Sequence, residues 1–82
     1  MASVENFIVA RYLVEQRPDG RYVPKVAIQV PGPEGEPLRL TITDREGRSY
    51  RDLNLALKMD LWLLTQWRKK HAPGLEVVVT PA

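Results

Sequence analysis

The side chains best able to do chemistry are few, and their neighbours limit what each can do. His71 is the one histidine among 82 residues, and the chain has no cysteine. Zinc and copper centres draw on clustered cysteine and histidine, so a lone histidine at a helix end reads as a surface or capping residue, and no metal is expected. A serine nucleophile needs a base and a sharp elbow flanked by glycines. Ser3 and Ser49 lack those flanks, which leaves His71 without a triad. Glycine-rich loops of the Walker or dinucleotide type are also missing, so no nucleotide cofactor is expected. The carboxylate pairs Glu34/Glu36 and Asp44/Glu46 stand beside glycine in turn-like segments, where solvation accounts for them better than acid–base work. The expected class is not an enzyme.

Asp60 is the exception among the acids. It falls inside an apolar run, close at helical spacing to Leu57, Leu64 and Trp67. A buried carboxylate is costly unless it is hydrogen-bonded or paired. The expectation is therefore that Asp60 sits at the rim of the apolar stripe or meets an arginine from a strand.

A second set is polar and basic. Arg11, Lys25, Gln29, Arg39 and Thr41 occupy alternate positions of predicted strands, on the side away from the apolar set. Arginine, glutamine and threonine can contact phosphates and base edges from a sheet, and Tyr12, Tyr22 and Tyr50 could stack on bases if exposed. The charge balance is only +2, from 12 Lys and Arg against 10 Asp and Glu. That permits nucleic-acid binding without demanding it.

The elements that must position these residues follow from periodicity and punctuation. Residues 6–16 (NFIVARYLVEQ) are apolar on both alternating faces, which suits a central or covered strand. Arg17-Pro18-Asp19-Gly20 is a turn, with glycine at the left-handed position. Residues 21–30 return as a strand carrying Val26, Ile28 and Val30 on one face; Pro24 cannot donate to a ladder, which places its early part at an edge or bulge. Three prolines and two glycines in residues 31–37 make a loop. In residues 38–43, Leu38, Leu40 and Ile42 alternate inward. Asp44-Arg45-Glu46-Gly47 then repeats the logic of the first turn, which suggests two hairpins in tandem.

A long helix runs to about His71, capped by Asn54, or by Ser49 in a capping box with Asp52 if it starts earlier. Arg68, Lys69 and Lys70 complement the dipole of its last turn, and Pro73-Gly74 stops it. Residues 75–80 form a closing strand, whose Val77-Val78-Val79 run implies burial on both faces. The expected fold is α+β: a small antiparallel sheet of two successive hairpins and a C-terminal strand, with one long helix packed on one face, in a single domain spanning residues 1–82.

At about 100° per residue, Leu53, Leu57, Leu61 and Leu64 fall on one side of the helix, with Ala56, Leu63 and Trp67 flanking. Leu55, Met59 and Trp62 fall on the other. One small sheet needs a single apolar stripe, and this helix carries nearly two. Tryptophan and methionine are enriched where proteins meet. The second stripe therefore predicts a surface for self-association as a homodimer or for a protein partner, and a non-catalytic regulatory or binding module.

Composition sets the outer bounds. A chain this short buries only around 60% of its unfolded surface, and without cysteine no disulfide adds to the core, which favours a twin or partner. Apolar content of 44% with 27% charged residues is ordinary for a folded domain. The apolar runs fall far short of the roughly 20 residues a membrane helix needs. Residues 1–5 lack the basic and apolar segments of a signal peptide, so the expected location is cytoplasmic, with no membrane partner.

Overall fold

Period-two alternation builds strands, and three form where the pattern places them. β1 (Phe7–Gln16), β2 (Tyr22–Val30) and β3 (Leu38–Thr43) precede one helix, α1 (Leu53–His71), and β4 (Glu76–Val79). The computed structural model describes residues 7–80; Asn6, at the head of the expected first strand, and residues 1–5 lie outside the described residues. The strand order is β3-β2-β1-β4. β1 pairs with β2, and β2 with β3, antiparallel; β4 runs parallel to β1, with Phe7 opposite Glu76 and Ala10 opposite Val79. The result is an α+β fold, a mostly antiparallel four-stranded sheet with one helix packed on one face.

Both turns use the same chemistry. Gly20 and Gly47 hold φ of 85° and 66°, which residues with a side chain adopt reluctantly. Their N–H groups donate to the carbonyls of Arg17 and Asp44. Within each turn the aspartate accepts a backbone N–H two residues on, Asp19 from Arg21 and Asp44 from Glu46, each at 3.0 Å. The second turn leads to no further strand along β3. Instead, Tyr50 makes a single antiparallel bridge to Tyr22, through Tyr22 N–H to Tyr50 O at 2.6 Å and its reciprocal at 2.8 Å. Pro24 pairs with Val14 just outside the β2–β3 ladder, which starts at Lys25, so its missing N–H costs that ladder nothing.

The helix is capped by Asp52, not by Asn54 or Ser49. Asp52 has extended φ and ψ of −100° and 121°, and its carboxylate accepts the Asn54 N–H at 2.9 Å. Ser49 is already committed elsewhere. Its hydroxyl accepts from Arg21 Nε at 2.8 Å and its carbonyl from Arg21 Nη2 at 2.9 Å. Arg21 thus ties the first turn to the segment leading into the helix. At the far end, Arg68 Nε donates to the Leu75 carbonyl and holds the last turn against the approach to β4.

The core lies between helix and sheet. Ile8 and Ala10 of β1, Val26 and Ile28 of β2 and Ile42 of β3 pack with Leu63 and Leu64 of the helix, with Trp67, Leu75 and Val77 partly buried around them; Pro24 and Ala56 are buried as well. The buried stripe therefore centres on Ala56, Asp60, Leu63 and Leu64. Leu53, Leu57 and Leu61, expected on the core side, are exposed. The buried side is instead the one carrying Ala56, Leu63 and half-buried Trp67, which the wheel places beside the leucine line. Burial of β4 on both faces is not found either. It is an edge strand, no Cα of it comes within 8 Å of the helix, and Val78 and Val79 are exposed.

Arg21→Ala should remove both hydrogen bonds to Ser49. Denaturant unfolding should show a loss of roughly 1–3 kcal/mol, whereas Arg45→Ala, in the exposed second turn, should lie within about 0.5 kcal/mol of the parent.

Candidate functional site

Two surfaces and one buried acid hold the residues singled out by the sequence. Leu55 and Trp62, seven residues apart, lie along one line of the helix and are 43% and 47% exposed; Met59 stands beside them, nearer the sheet and half-buried. The structure thus brings these three together at the surface. Leu57 and Leu61 form a second exposed line on the other flank of the helix, with Leu61 at 56%.

The sheet adds to this apolar side. Leu38 and Leu40 share the helix-facing parity of buried Ile42, and Val79 pairs with inward Ala10, yet all three are exposed. A helix is about 10 Å across, while four strands at about 4.8 Å spacing are wider. A single helix leaves the outer strands partly bare. The pattern of residues 38–43 reveals their direction; only the strand order reveals that the helix does not cover them.

The opposite face of the sheet carries the polar set. Arg11, Gln29, Arg39 and Thr41 line one shallow groove of about 460 Å³ with Val9, Leu13, Ala27 and Thr80. Lys25 faces the same side from between buried Pro24 and Val26, beyond the groove lining. Arg11, Lys25 and Arg39 form no salt bridge among the described residues. The register sets Arg11 opposite Ala27 and Thr41, and Arg39 opposite Gln29 and Val9, so the two arginines lie on neighbouring rows across the groove. The tyrosines do not join them. Tyr12 alternates with Arg11 and Leu13, which turns it to the helix side, and Tyr22 and Tyr50 bridge each other at the sheet's far end.

Asp60 is neither at the rim nor paired. It is 0% exposed, and neither carboxylate oxygen has a hydrogen-bond partner among the described residues. Its position in the middle of the buried stripe leaves it facing the sheet, where no arginine of the described residues reaches it. Burial pushes its carboxyl up from 3.8 to about 7; the Lys25 backbone N–H, short of hydrogen-bond geometry, holds the value back in part. Tyr12 is raised as well, first by its own burial and then by the charge on Asp60. Asp60 does not line the groove, and His71 is exposed at the helix end, its ring 5.0 Å from that of Trp67. The three do not converge on a common substrate position. Among the described residues, no group of three or more His, Cys, Asp or Glu could hold a metal ion, and no helix is long and apolar enough to cross a membrane.

Because the folded-state value of Asp60 exceeds its unfolded value, the native state holds a proton that the unfolded chain has lost. Stability should then fall as pH rises from about 4 to about 7 and level off above. At about 1.4 kcal/mol per unit, the full effect is on the order of 4 kcal/mol. Urea unfolding at pH 5 and pH 8 should show the loss in the parent, and Asp60→Asn should flatten it. An unchanged slope in the variant refutes this assignment.

Comparison of the chain with protein-family models, with curated proteins and with solved structures finds no match.

Proposed function

We propose that this chain is a non-catalytic contact module that binds protein through its helix-bearing side. One observation carries the reading. Among the described residues, the large apolar side chains left exposed are Leu38, Leu40, Leu53, Leu55, Leu57, Leu61, Trp62 and Val79 on the helix-bearing layer, and Val78 alone on the other. Exposed apolar area gathered on one side marks an interaction surface, whereas scattered residues do not. Leu55, Met59 and Trp62 are its centre, with the tryptophan as anchor. The homodimer expected from the sequence is one occupant of this side and a different protein the other; molar mass in solution distinguishes them.

If Trp62 is a contact residue and not part of the core, Trp62→Glu should keep cooperative unfolding with a Tm within about 4 °C of the parent. It should also lower association measured by light scattering or by partner capture. Loss of fold would instead place Trp62 in the core and remove the reading.

A second reading rests on the groove. Four residues picked from sequence, Arg11, Gln29, Arg39 and Thr41, converge there, and the cations are unpaired among the described residues. Nucleic acid is the polyanion such a sheet face suits, although the face lacks the tyrosines that stacking would use. Binding of duplex or single strands should be salt-sensitive. Lys25→Ala with Arg39→Ala should make the slope of log affinity against log salt shallower, by about 0.9 for each duplex phosphate no longer neutralised. No mobility shift at low salt with either form ends this reading.

A further inference from the structure

Charge narrows the occupant of the helix face. The acid within α1, Asp60, is fully buried. The exposed ionised side chains of the helix are Lys58, Lys69 and Lys70, and no salt bridge engages them among the described residues. At about 100° per residue, Lys58 and Lys69 run along one side of the Leu55–Trp62 line and Lys70 along the other, beyond Met59. Arg68, half-buried, is held by the Leu75 carbonyl, and exposed Arg51 stands just ahead of the helix. Lys58 thus stands beside the apolar line, and Lys69 and Lys70 flank its continuation beyond Trp62.

A second copy answers these charges poorly. A two-fold antiparallel pairing centred on Leu55, Met59 and Trp62 sets Lys58 against its own twin and brings Lys69 toward the partner helix's start, where Arg51 offsets the single exposed acid there, the cap Asp52. A parallel pairing sets like on like throughout. Each arrangement gathers cations around the apolar contact, and like-charge juxtaposition is what interfaces avoid.

We infer that the helix face takes an acidic amphipathic segment of another protein, its apolar side chains on Leu55, Met59 and Trp62 and its carboxylates on Lys58, Lys69 and Lys70. This rests on the reading of the helix-bearing side as a protein-contact surface. The binding mode is a helix or strand laid along a preformed apolar line with charged borders. Its on-rate and affinity should fall with salt, because the charges lie at the exposed rim.

The test uses the full chain and a synthetic peptide with leucines on one helical face and glutamates beside them. Controls are a peptide with every glutamate replaced by lysine and one of scrambled order. Fluorescence anisotropy should show the acidic peptide binding at least tenfold tighter than either control, and weakening with salt. The double variant Lys58→Glu with Lys69→Glu changes only exposed positions, so its fold should persist by circular dichroism, and its preference should reverse toward the lysine peptide. Equal affinity for the acidic and basic peptides, or an unchanged preference in the double variant, overturns the inference. A dimeric mass that Trp62→Glu abolishes and the acidic peptide does not compete with also overturns it, while leaving the contact-surface reading intact. So does sedimentation with phosphatidylglycerol vesicles, or a shift of single-stranded DNA, that Lys58→Glu with Lys69→Glu removes in the absence of peptide binding. If the chain is monomeric, binds none of these probes and is indifferent to Trp62→Glu, the contact-surface reading itself falls.

Discussion

The structure depends on one contact: Leu63 and Leu64 of the helix, with Trp67 beside them, packed on Ile8, Ala10, Val26, Ile28 and Ile42. The described residues form no other layer, so this seam supplies nearly all of their buried apolar surface. Its width is that of one helix, and the sheet beneath is wider. The exposed leucines of β3 and bare Val79 of β4 follow from that mismatch. An unpartnered carboxylate in the middle of the seam places a polar penalty where the fold has least to spare. An apolar residue there would serve stability alone better, and none of the contacts described explains the acid's presence.

Local patterns were legible wherever side-chain period and turn chemistry act over a few residues. Phe7–Gln16, Leu38–Thr43 and the Pro73-Gly74 stop could be read directly, as could the outward set of Arg11, Lys25, Gln29, Arg39 and Thr41. Long-range facts were not. The parallel docking of β4 beside β1 depends on the path of the crossover, and a run such as Val77-Val78-Val79 looks the same at an edge as at a centre. The helix wheel placed Leu55, Met59 and Trp62 away from the core but centred the core side on Leu53, Leu57, Leu61 and Leu64, of which only Leu64 is buried. The cap is Asp52, with Asn54 already inside the helix as its donor, and the alternative cap Ser49 is held by Arg21, 28 residues away.

The acids and the cations have separate assignments. Asp19, Asp44 and Asp52 each accept a backbone N–H two residues on, a use that draws carboxylates into turns and the helix start. Arg48 is held by Asp44 and Glu46 at the second turn. What remains is Arg11, Lys25 and Arg39 with exposed Glu15 and Glu76 on the open face of the sheet, and Lys58, Lys69 and Lys70 on the helix. A nearly neutral total thus conceals a helix surface of one sign beside a sheet face of mixed charge. Net charge hides this arrangement: three of the ten acidic residues shape turns or the helix start, and Asp60 is buried, so none of these four opposes the helix lysines.

The pairing of Phe7 with Glu76 joins residues 69 apart in the chain. Contacts of that span form late, because the chain between them must first be ordered. Until β4 arrives, one edge of β1 stays open, and that strand carries Ile8, Val9 and Ala10 with apolar groups on both sides. An open apolar edge is a template for pairing with another chain. The last strand therefore acts as a sheath. During synthesis, the interval between the emergence of β1 and the docking of β4 is the period in which this chain is most exposed to mispairing, and the short, local closure of the first hairpin limits that exposure to a single edge.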